Sequence, residues 1–307
     1  MTGATYTIEL ENVSRWYGNV VAVNDISFSL GPGITGLLGP NGAGKSTILH
    51  MTAGFLAPSK GAVRINGRPA WRNHGMYRDV GLVPERESVY PFLTGYEFVL
   101  TSAKLFKLPD PAAAAKRAIQ AVDMEPAQGR KLGGYSKGMK QRIKVAAAIV
   151  HEPKVLLLDE PFNGTDPTQR LQMMDLLRKM AAAGRTIVFS SHILDEVERL
   201  AEDVLVIVAG RLAASGDFRA IRRLMTDRPH TFTVHSSDNR RYATALVADE
   251  SVFGVELNGD DLTIRTSRFD DFVRAAPRIA KAESITLEEL LPTDESLESV
   301  FSYLVKR

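Results

Sequence analysis

The chain has 307 residues, of which 44% are hydrophobic and 24% charged, the balance of an ordinary globular protein long enough for about two domains. Its formal net charge of +2 gives no overall indication of binding to nucleic acid or to an anionic membrane surface. Because the sequence has no cysteine, disulfides, cysteine-ligated zinc and thiol catalysis are excluded, and a reducing compartment is suitable.

The sequence predicts neither a secretory signal nor a membrane-spanning helix. The first residues, MTGATYTIELE, include early acidic residues and no apolar core. No stretch reaches the ~18 uninterrupted apolar residues that a spanning helix needs. The most apolar short runs, at 155–158 and 204–208, have the length of strands and are flanked by charges. If this protein works at a membrane, we expect it to bind at the membrane surface rather than to span the bilayer.

The first part of the chain alternates strand and helix patterns. Residues 6–30 alternate in the manner of strands, with a turn predicted at 17–19. An apolar run at 33–39 predicts a short strand, followed by a glycine-rich turn and a helix from about Lys45. Residues 95–150 have helical spacing and predict a helical insertion.

Strands return at 155–158, 186–189 and 204–208, with helices predicted between them. Strands that alternate with helices predict right-handed βαβ units and a parallel sheet. The first predicted domain therefore spans residues 1–225 and has the α/β fold class.

A second domain is predicted at 230–307, after the polar stretch at 226–229. Its pattern is a strand, a helix, two strands, a helix, a strand and a final helix at 297–305. The middle strands are predicted to meet at Asn258-Gly259, because both central positions of a type I′ turn need positive φ. We predict a small α+β domain, for which a ferredoxin-like arrangement is one form.

A phosphate-binding loop is predicted between the strand at 33–39 and the following helix. The run fits G-x-x-x-x-G-K-[ST] and consists of Gly39, Pro40, Asn41, Gly42, Ala43, Gly44, Lys45, Ser46 and Thr47. Glycines let backbone N–H groups point at phosphate oxygens, and the helix N-terminus favours the same anion. Lys45 would reach the β- and γ-phosphates and the Ser46 hydroxyl would ligate Mg²⁺. A plain glycine turn would explain neither side chain at this spacing.

Two acidic residues end the apolar run VLLLDE at 155–160. A buried strand of a parallel sheet places such carboxylates at its carboxyl edge, where ligands bind in this class of fold. Asp159 can hold the Mg²⁺ shell, and Glu160 can polarise a water for in-line attack on the γ-phosphate. An exposed acidic turn is the alternative, and the neighbouring phosphate loop argues against it.

Three further motifs resemble those of the ABC ATPases. Residues 135–142, YSKGMKQR, resemble the LSGGQxQR signature and precede the run at 155–160, as in that family. Residues 159–166, DEPFNGTD, are similar to DEPTSGLD, and 190–192, SSH, stand where the family carries its switch histidine. The resemblance covers about residues 6–220. It implies a P-loop NTPase fold of ABC-ATPase type, with a parallel sheet core, an antiparallel β subdomain and a helical subdomain at about 86–152.

The resemblance also implies roles for individual residues. Tyr17 would stack on adenine, although it could instead pack into the core, and Trp16 is a competing candidate. His192 would contact the γ-phosphate and the attacking water. Asp166 is a good helix N-cap before Pro167 and would also contact a dimer interface.

In this family two cassettes face each other head to tail, and the signature of one completes the ATP site of the other. Ser136 and the backbone at Gly138 would donate to the γ-phosphate bound in the second copy. Since the chain has one cassette, a homodimer is the simplest arrangement.

Two departures from the family pattern indicate which branch of the family this sequence resembles. The signature has Lys137 and Met139 where glycine and glutamine are usual, and Lys137 would add a positive charge near the opposing nucleotide. Glu85 stands where the family commonly has a glutamine. That glutamine contacts Mg²⁺ and relays the state of the metal to the permease. Glu85 can ligate Mg²⁺ through oxygen, or it is a solvated loop acid. These departures, with the stretch at 294–301, resemble the exporter branch with a separate permease, which includes drug and antibiotic efflux pumps.

The sequence thus predicts an ATPase subunit that binds ATP and Mg²⁺, pairs with a second copy and powers export through a separate transmembrane permease. It would lie peripherally at the cytoplasmic face of the membrane and bind no nucleic acid. The C-terminal domain would brace the dimer or regulate it. One alternative is a soluble ABC ATPase in translation or DNA repair, although such proteins usually carry two cassettes or a long coiled coil. Another is a regulator that does not hydrolyse ATP, against which Glu160 and His192 argue.

Overall fold

The structure, a computed structural model, describes residues 7–86, 88–217, 230–259 and 261–293. The chain divides into two compact units, Met1–Ser215 and Gly216–Arg307. The polar stretch predicted at 226–229 and the helix predicted at 297–305 lie outside the described residues. Within the described ranges, no helix is long and apolar enough to cross a membrane.

In chain order the first unit contains β1 (Ile8–Tyr17), β2 (Val20–Leu30), β3 (Gly33–Leu38), α1 (Lys45–Thr52), β4 (Lys60–Ile65), β5 (Arg68–Pro69), β6 (Val80–Val83), α2 (Gly95–Leu105), α3 (Pro111–Ala121), α4 (Lys137–Ile149), β7 (Val155–Asp159), α5 (Pro167–Ala182), β8 (Thr186–Ser191), α6 (Leu194–Leu200), β9 (Asp203–Val208) and β10 (Arg211–Gly216).

A six-stranded sheet in the order β10-β9-β3-β8-β7-β6 forms the centre of this unit. The pairs β3–β8, β3–β9, β7–β8 and β6–β7 are all parallel, as the βαβ pattern predicts. All five residues of β7 are buried, which is typical of strands covered on both faces. Because Leu38 pairs with Ser191 and Asp159 with Ser190, the carboxyl ends of β3, β7 and β8 meet at one edge.

A second, antiparallel sheet has the order β2-β1-β4-β5 and confirms the predicted β subdomain. Tyr17 pairs with Val20, so the predicted turn lies at Gly18-Asn19, where Gly18 has a φ of +57°. A shared core joins the two sheets and α1 through buried side chains such as Ile26, Leu157 and Ile48.

The helical insertion predicted at 95–150 is confirmed by α2, α3 and α4, which pack on one another. Each helix begins at a polar side chain that accepts a backbone N–H of the first turn: Thr94, Asp110 and Ser136. Thr94 and Glu97 form a reciprocal capping box.

The second unit contains β11 (His230–Ser236), α7 (Asn239–Leu246), β12 (Val252–Asn258), β13 (Asp261–Thr266), α8 (Phe269–Ala282) and β14 (Leu287–Pro292). The antiparallel sheet has the order β12-β13-β11-β14, which with this βαββαβ sequence is the ferredoxin-like arrangement. Phe232, Tyr242 and Phe272 are fully buried between the sheet and its helices. The predicted α+β character is confirmed.

The predicted hairpin turn in this unit is wrong by one residue. Asn258 pairs with Asp261 and is the last residue of β12, so the turn begins at Gly259, which has a φ of +64°. Because Asn258 stays in the ladder, Val255 pairs with Ile264 instead of Leu262, the partner that a turn at 258–259 would give it.

Candidate active site

The predicted phosphate loop lies between β3 and α1. Gly42 and Gly44 have φ values of +81° and +105°, which favour glycine. A Cβ at Gly44 would lie 2.5 Å from the Ala22 carbonyl oxygen, so this position has no room for a side chain. Lys45, 6% exposed, folds back so that its Nζ donates to the Gly39 carbonyl at 2.7 Å. The loop and the amino terminus of α1 therefore surround one ammonium group.

A cavity of about 570 Å³ opens above this loop. Its lining brings most of the predicted site residues together: Asn41, Gly42, Ala43, Gly44, Lys45, Ser46, Thr47, Glu85, Asp159, Glu160 and His192, with Ala22 and Asn163. Residues from four separate parts of the sequence thus face one space, as the parallel sheet edge predicts.

Ser190, a residue to which the sequence assigned no separate role, holds both predicted acids. Its hydroxyl donates to Asp159 Oδ1 at 2.6 Å and accepts the backbone N–H of Glu160 at 2.9 Å. Glu160 has a φ of +49°, a left-handed conformation that costs a non-glycine residue roughly 1–2 kcal/mol. The buried hydroxyl of β8 therefore fixes the position of the carboxylate that follows β7.

The Glu160 carboxylate lies between two cationic or ionisable groups. Its Oε2 is 3.0 Å from His192 Nδ1 and its Oε1 is 3.8 Å from Lys45 Nζ. Burial lowers the pKa of Lys45 below the ordinary value of 10.5, while the nearby Glu160 and Asp159 carboxylates act to raise it. A partly desolvated ammonium beside open space is suited to phosphate oxygens.

The adenine candidates Tyr17 and Trp16 do not line this cavity. Tyr17 ends β1 and is 47% exposed, with the Arg15 guanidinium 4.8 Å from its ring centroid. This exposure contradicts the alternative that Tyr17 packs into the core. Trp16 is exposed to a similar degree.

The signature residues also lie outside the cavity of their own subunit. Ser136 is exposed and caps α4 by accepting the Met139 N–H at 3.2 Å. Gly138 is buried, and a Cβ there would lie 2.1 Å from Gln169 Oε1 of α5, so a larger residue would have to displace the Gln169 side chain.

Asp166 caps α5 as predicted, accepting the Gln169 N–H at 2.9 Å, with Pro167 as the first helical residue. Lys137 reaches a neighbouring loop of its own chain, where its Nζ donates to Asn163 Oδ1 at 3.2 Å. This contact was not predicted, because only the fold brings the two residues together.

A buried carboxyl, that of Glu196, contacts the strand end that precedes His192. Glu196 accepts the Ser191 hydroxyl at 2.7 Å and lies 3.5 Å from Arg170 Nε of α5. Burial raises the pKa of the Glu196 carboxyl above its ordinary value of 4.5. The sequence signal that could have pointed to Glu196 is its position, four residues after His192.

The oxygen donors in the cavity fit Mg²⁺. Ser46, Asp159 and Glu85 offer a hydroxyl and two carboxylates, and this ion is usually held by one or two carboxylates with phosphate oxygens and water. Over the described ranges, no group of three or more His, Cys, Asp or Glu side chains is arranged to hold a metal alone. The donor set is that of a metal bound together with a nucleotide.

Comparison with known proteins decides the family. Residues 23–163 match the family model described as ABC transporter. Over 303 residues the chain is 33% identical to the bacitracin transport ATP-binding protein BcrA of Enterococcus faecalis, covering 98% of this chain and 96% of the relative. The chain belongs to the ABC transporter ATP-binding proteins. It is therefore an ATP-binding subunit and an ATPase of this family, with the P-loop fold of the ABC type.

Two further similarities describe the extent of the match. The linearmycin resistance ATP-binding protein LnrL of Bacillus subtilis (strain 168) is 32% identical over 311 residues, covering 98% of both chains. Among solved structures, cbiO1 from Clostridium perfringens, part of the ABC transporter complex cbiONQ, has a TM-score of 0.65 at 27% identity. It covers 72% of this ABC subunit and 92% of its own chain. The two ATP-binding relatives thus extend over both units, which favours the transport prediction over the soluble alternative.

Proposed function

We propose that this chain is the ATPase subunit of an exporter, in which ATP closes a head-to-tail homodimer and hydrolysis at Glu160 reopens it. The observation that carries the proposal is the position of Glu160. Its carboxylate contacts His192 and lies beside Lys45 at the mouth of the phosphate loop. A base held at this place can orient a water toward the γ-phosphate.

Residues 39–47 hold the triphosphate in this proposal, with Lys45 at its β- and γ-phosphates. Ser46, Asp159 and Glu85 would hold Mg²⁺, which would supply positive charge to the phosphate oxygens. Glu160 positions the attacking water and accepts its proton, while His192 orients the Glu160 carboxylate through the 3.0 Å contact. Tyr17 stacks on adenine; its exposed ring supports this role.

The dimer supplies the remaining donors. Ser136 is exposed and stands at the amino terminus of the 13-residue helix α4, where free N–H groups favour an anion. Since these groups do not line their own cavity, we assign Ser136 and the Gly138 backbone to the nucleotide of a second copy, with Asp166 at the same interface. ABC ATP-binding subunits dimerise, which supports this assignment.

Export through a separate permease follows from the relatives. Since BcrA is named for bacitracin transport and LnrL for linearmycin resistance, we propose drug or antibiotic efflux for this subunit. It would bind a transmembrane permease at the cytoplasmic face of the membrane. We assign ATPase activity to a domain at 1–225, with a helical subdomain at about 86–152, and an accessory role to the domain at 230–307.

The decisive test is Glu160→Gln, which keeps the size of the side chain but removes the base. We expect this variant to bind ATP with Mg²⁺, to lose turnover and to accumulate as a dimer in ATP, measured by light scattering after size exclusion. Lys45→Ala is the control and should not bind ATP. A Glu160→Gln protein that stays monomeric in ATP contradicts the proposed cycle.

A further inference from the structure

Lys144 is a buried lysine in the middle of α4, and its side chain is directed at the loop that carries Glu85. It is 6% exposed. Its Nζ donates to the Pro84 carbonyl at 2.7 Å and to the Arg86 carbonyl at 3.2 Å, and it lies 3.5 Å from the Glu85 carbonyl. One ammonium group therefore contacts three consecutive carbonyls.

The three contacts offset the cost of burying this ammonium group. Burying an ammonium group is unfavourable unless it is well hydrogen-bonded, and hydrogen bonds to charged groups are the strong ones. The three carbonyls belong to residues 84–86, a stretch without helix or strand that follows β6. A loop of this kind does not hold its own conformation through a backbone ladder, so its position depends on such side-chain contacts.

The contacts place Glu85 with respect to the active site. Glu85 lines the cavity that contains Asp159 and Ser46. Lys144 and Glu85 also line a smaller adjoining cavity of about 220 Å³ that reaches Glu160. On its other side Lys144 borders an apolar cavity of about 340 Å³ with Pro84. The lysine thus forms part of the wall between this smaller cavity and the apolar space.

We propose that Lys144 is a positioning residue for catalysis: it holds the 84–86 loop so that the Glu85 carboxylate faces the Mg²⁺ position. The inference rests on the proposed function of Glu85. It also links two parts of the site, because Lys144 lies eight residues after Ser136 on the same helix, about 12 Å at 1.5 Å per residue. A movement of the signature end of α4 is then carried to the loop of Glu85.

The test measures ATP binding rather than turnover, by calorimetry in the Glu160→Gln background with either Mg²⁺ or EDTA. Lys144→Met keeps the apolar stem and removes the donors. It should weaken binding with Mg²⁺ about tenfold, the effect of losing one charged hydrogen bond, and change binding in EDTA less than about twofold. Lys144→Arg, which keeps charge and donors, should restore most of the affinity. Lys116→Met, an exposed lysine of α3, is the matched control and should match the background.

A double variant tests whether Lys144 acts through Glu85. In Glu85→Ala the additional Lys144→Met change should not weaken Mg²⁺-dependent binding further. Equal weakening in Mg²⁺ and EDTA, no weakening, or additive effects in the double variant would each overturn the proposal. If the methionine variant does not fold, Lys144→Gln carries the same comparison.

Failure of the proposed function gives a different result. If the background protein binds ATP equally well with and without Mg²⁺, the assignment of the metal site is wrong. Hydrogen exchange of the 84–86 amides still tests the positioning in that case: it should rise in Lys144→Met and stay unchanged in Lys116→Met. Unchanged exchange at this loop refutes the contact itself.

Discussion

Replacing Ser190 by alanine tests how Asp159 and Glu160 are held. The Ser190 hydroxyl is fully buried, donates to Asp159 and accepts the Glu160 N–H. Ser190→Ala removes both contacts and leaves a buried N–H without that partner. A hydrogen bond to a charged group is worth about 1.5–3 kcal/mol, and an unsatisfied buried donor costs about 1–3 kcal/mol.

Since the two effects share one hydroxyl and do not add fully, we expect a loss of about 2–4 kcal/mol in the free energy of unfolding. For a unit of this size the melting temperature should fall by about 5–12 °C. Loss of the N–H contact also frees Glu160 from its left-handed conformation, so kcat should fall by at least about tenfold, equivalent to 1.4 kcal/mol. KM for ATP should change little, because the phosphate loop is untouched.

The assays are calorimetry of the nucleotide-free protein and steady-state ATP hydrolysis. Ser102→Ala is the control, because it loses only a 3.4 Å contact within α2. The control should melt close to the wild type. A Ser190→Ala protein that melts within about 1 °C of the control, or that keeps full kcat, refutes this reasoning.

Two further substitutions test the loop and the buried acid. Gly44→Ala should abolish ATP binding in fluorescence titrations, because its Cβ would lie 2.5 Å from the Ala22 carbonyl oxygen. Gly42→Ala has open space around its Cβ and should keep weaker ATP binding. Equal losses of ATP binding in the two variants would contradict the steric argument. Burial raises the pKa of the Glu196 carboxyl, so the ionised carboxyl destabilises the folded state. The contribution of Glu196 to folding stability is therefore most favourable below the unfolded pKa of 4.5, and it is lost as pH rises through the raised pKa of the folded state. Glu196→Gln should therefore gain melting temperature relative to the wild type between pH 5 and pH 8, and a difference independent of pH contradicts this.

The sequence predicted those parts of the site that depend on local spacing. The phosphate loop needs glycines, a lysine and a hydroxyl within nine consecutive residues, and all of them lie where the pattern places them. The alternation of strands with helices predicted the parallel sheet, and the acids at the end of β7 were expected at its carboxyl edge, where Asp159 and Glu160 line the same cavity as Lys45. The place of His192 came from the family resemblance. The hairpin turn was less accessible, because Asn258 stays in the ladder of β12 and pairs with Asp261 although Asn-Gly is a favourable turn sequence.

Contacts between distant segments could not be predicted in this way. Ile143 and Ala146 are buried on one face of α4 at helical spacing, whereas hydrophobic periodicity gives no reason to bury Lys144. The partner carbonyls of Lys144 lie about 60 residues earlier, at a place that only the packing of α4 on β6 brings near. A long aliphatic stem allows such a side chain to cross an apolar layer and still hydrogen-bond its ammonium group.

Helix α4 therefore presents different groups at its first turn and in its middle. Its exposed first turn offers N–H groups and the Ser136 hydroxyl outward, while Lys144 contacts carbonyls of its own chain. Because a helix is rigid over two turns, the distance between these groups is fixed by the backbone. A second copy that binds the exposed end must then move the 84–86 loop or be held by it. From the proposed role of Lys144 we therefore expect the signature and Glu85 to respond to ATP as one unit rather than as two independent motifs.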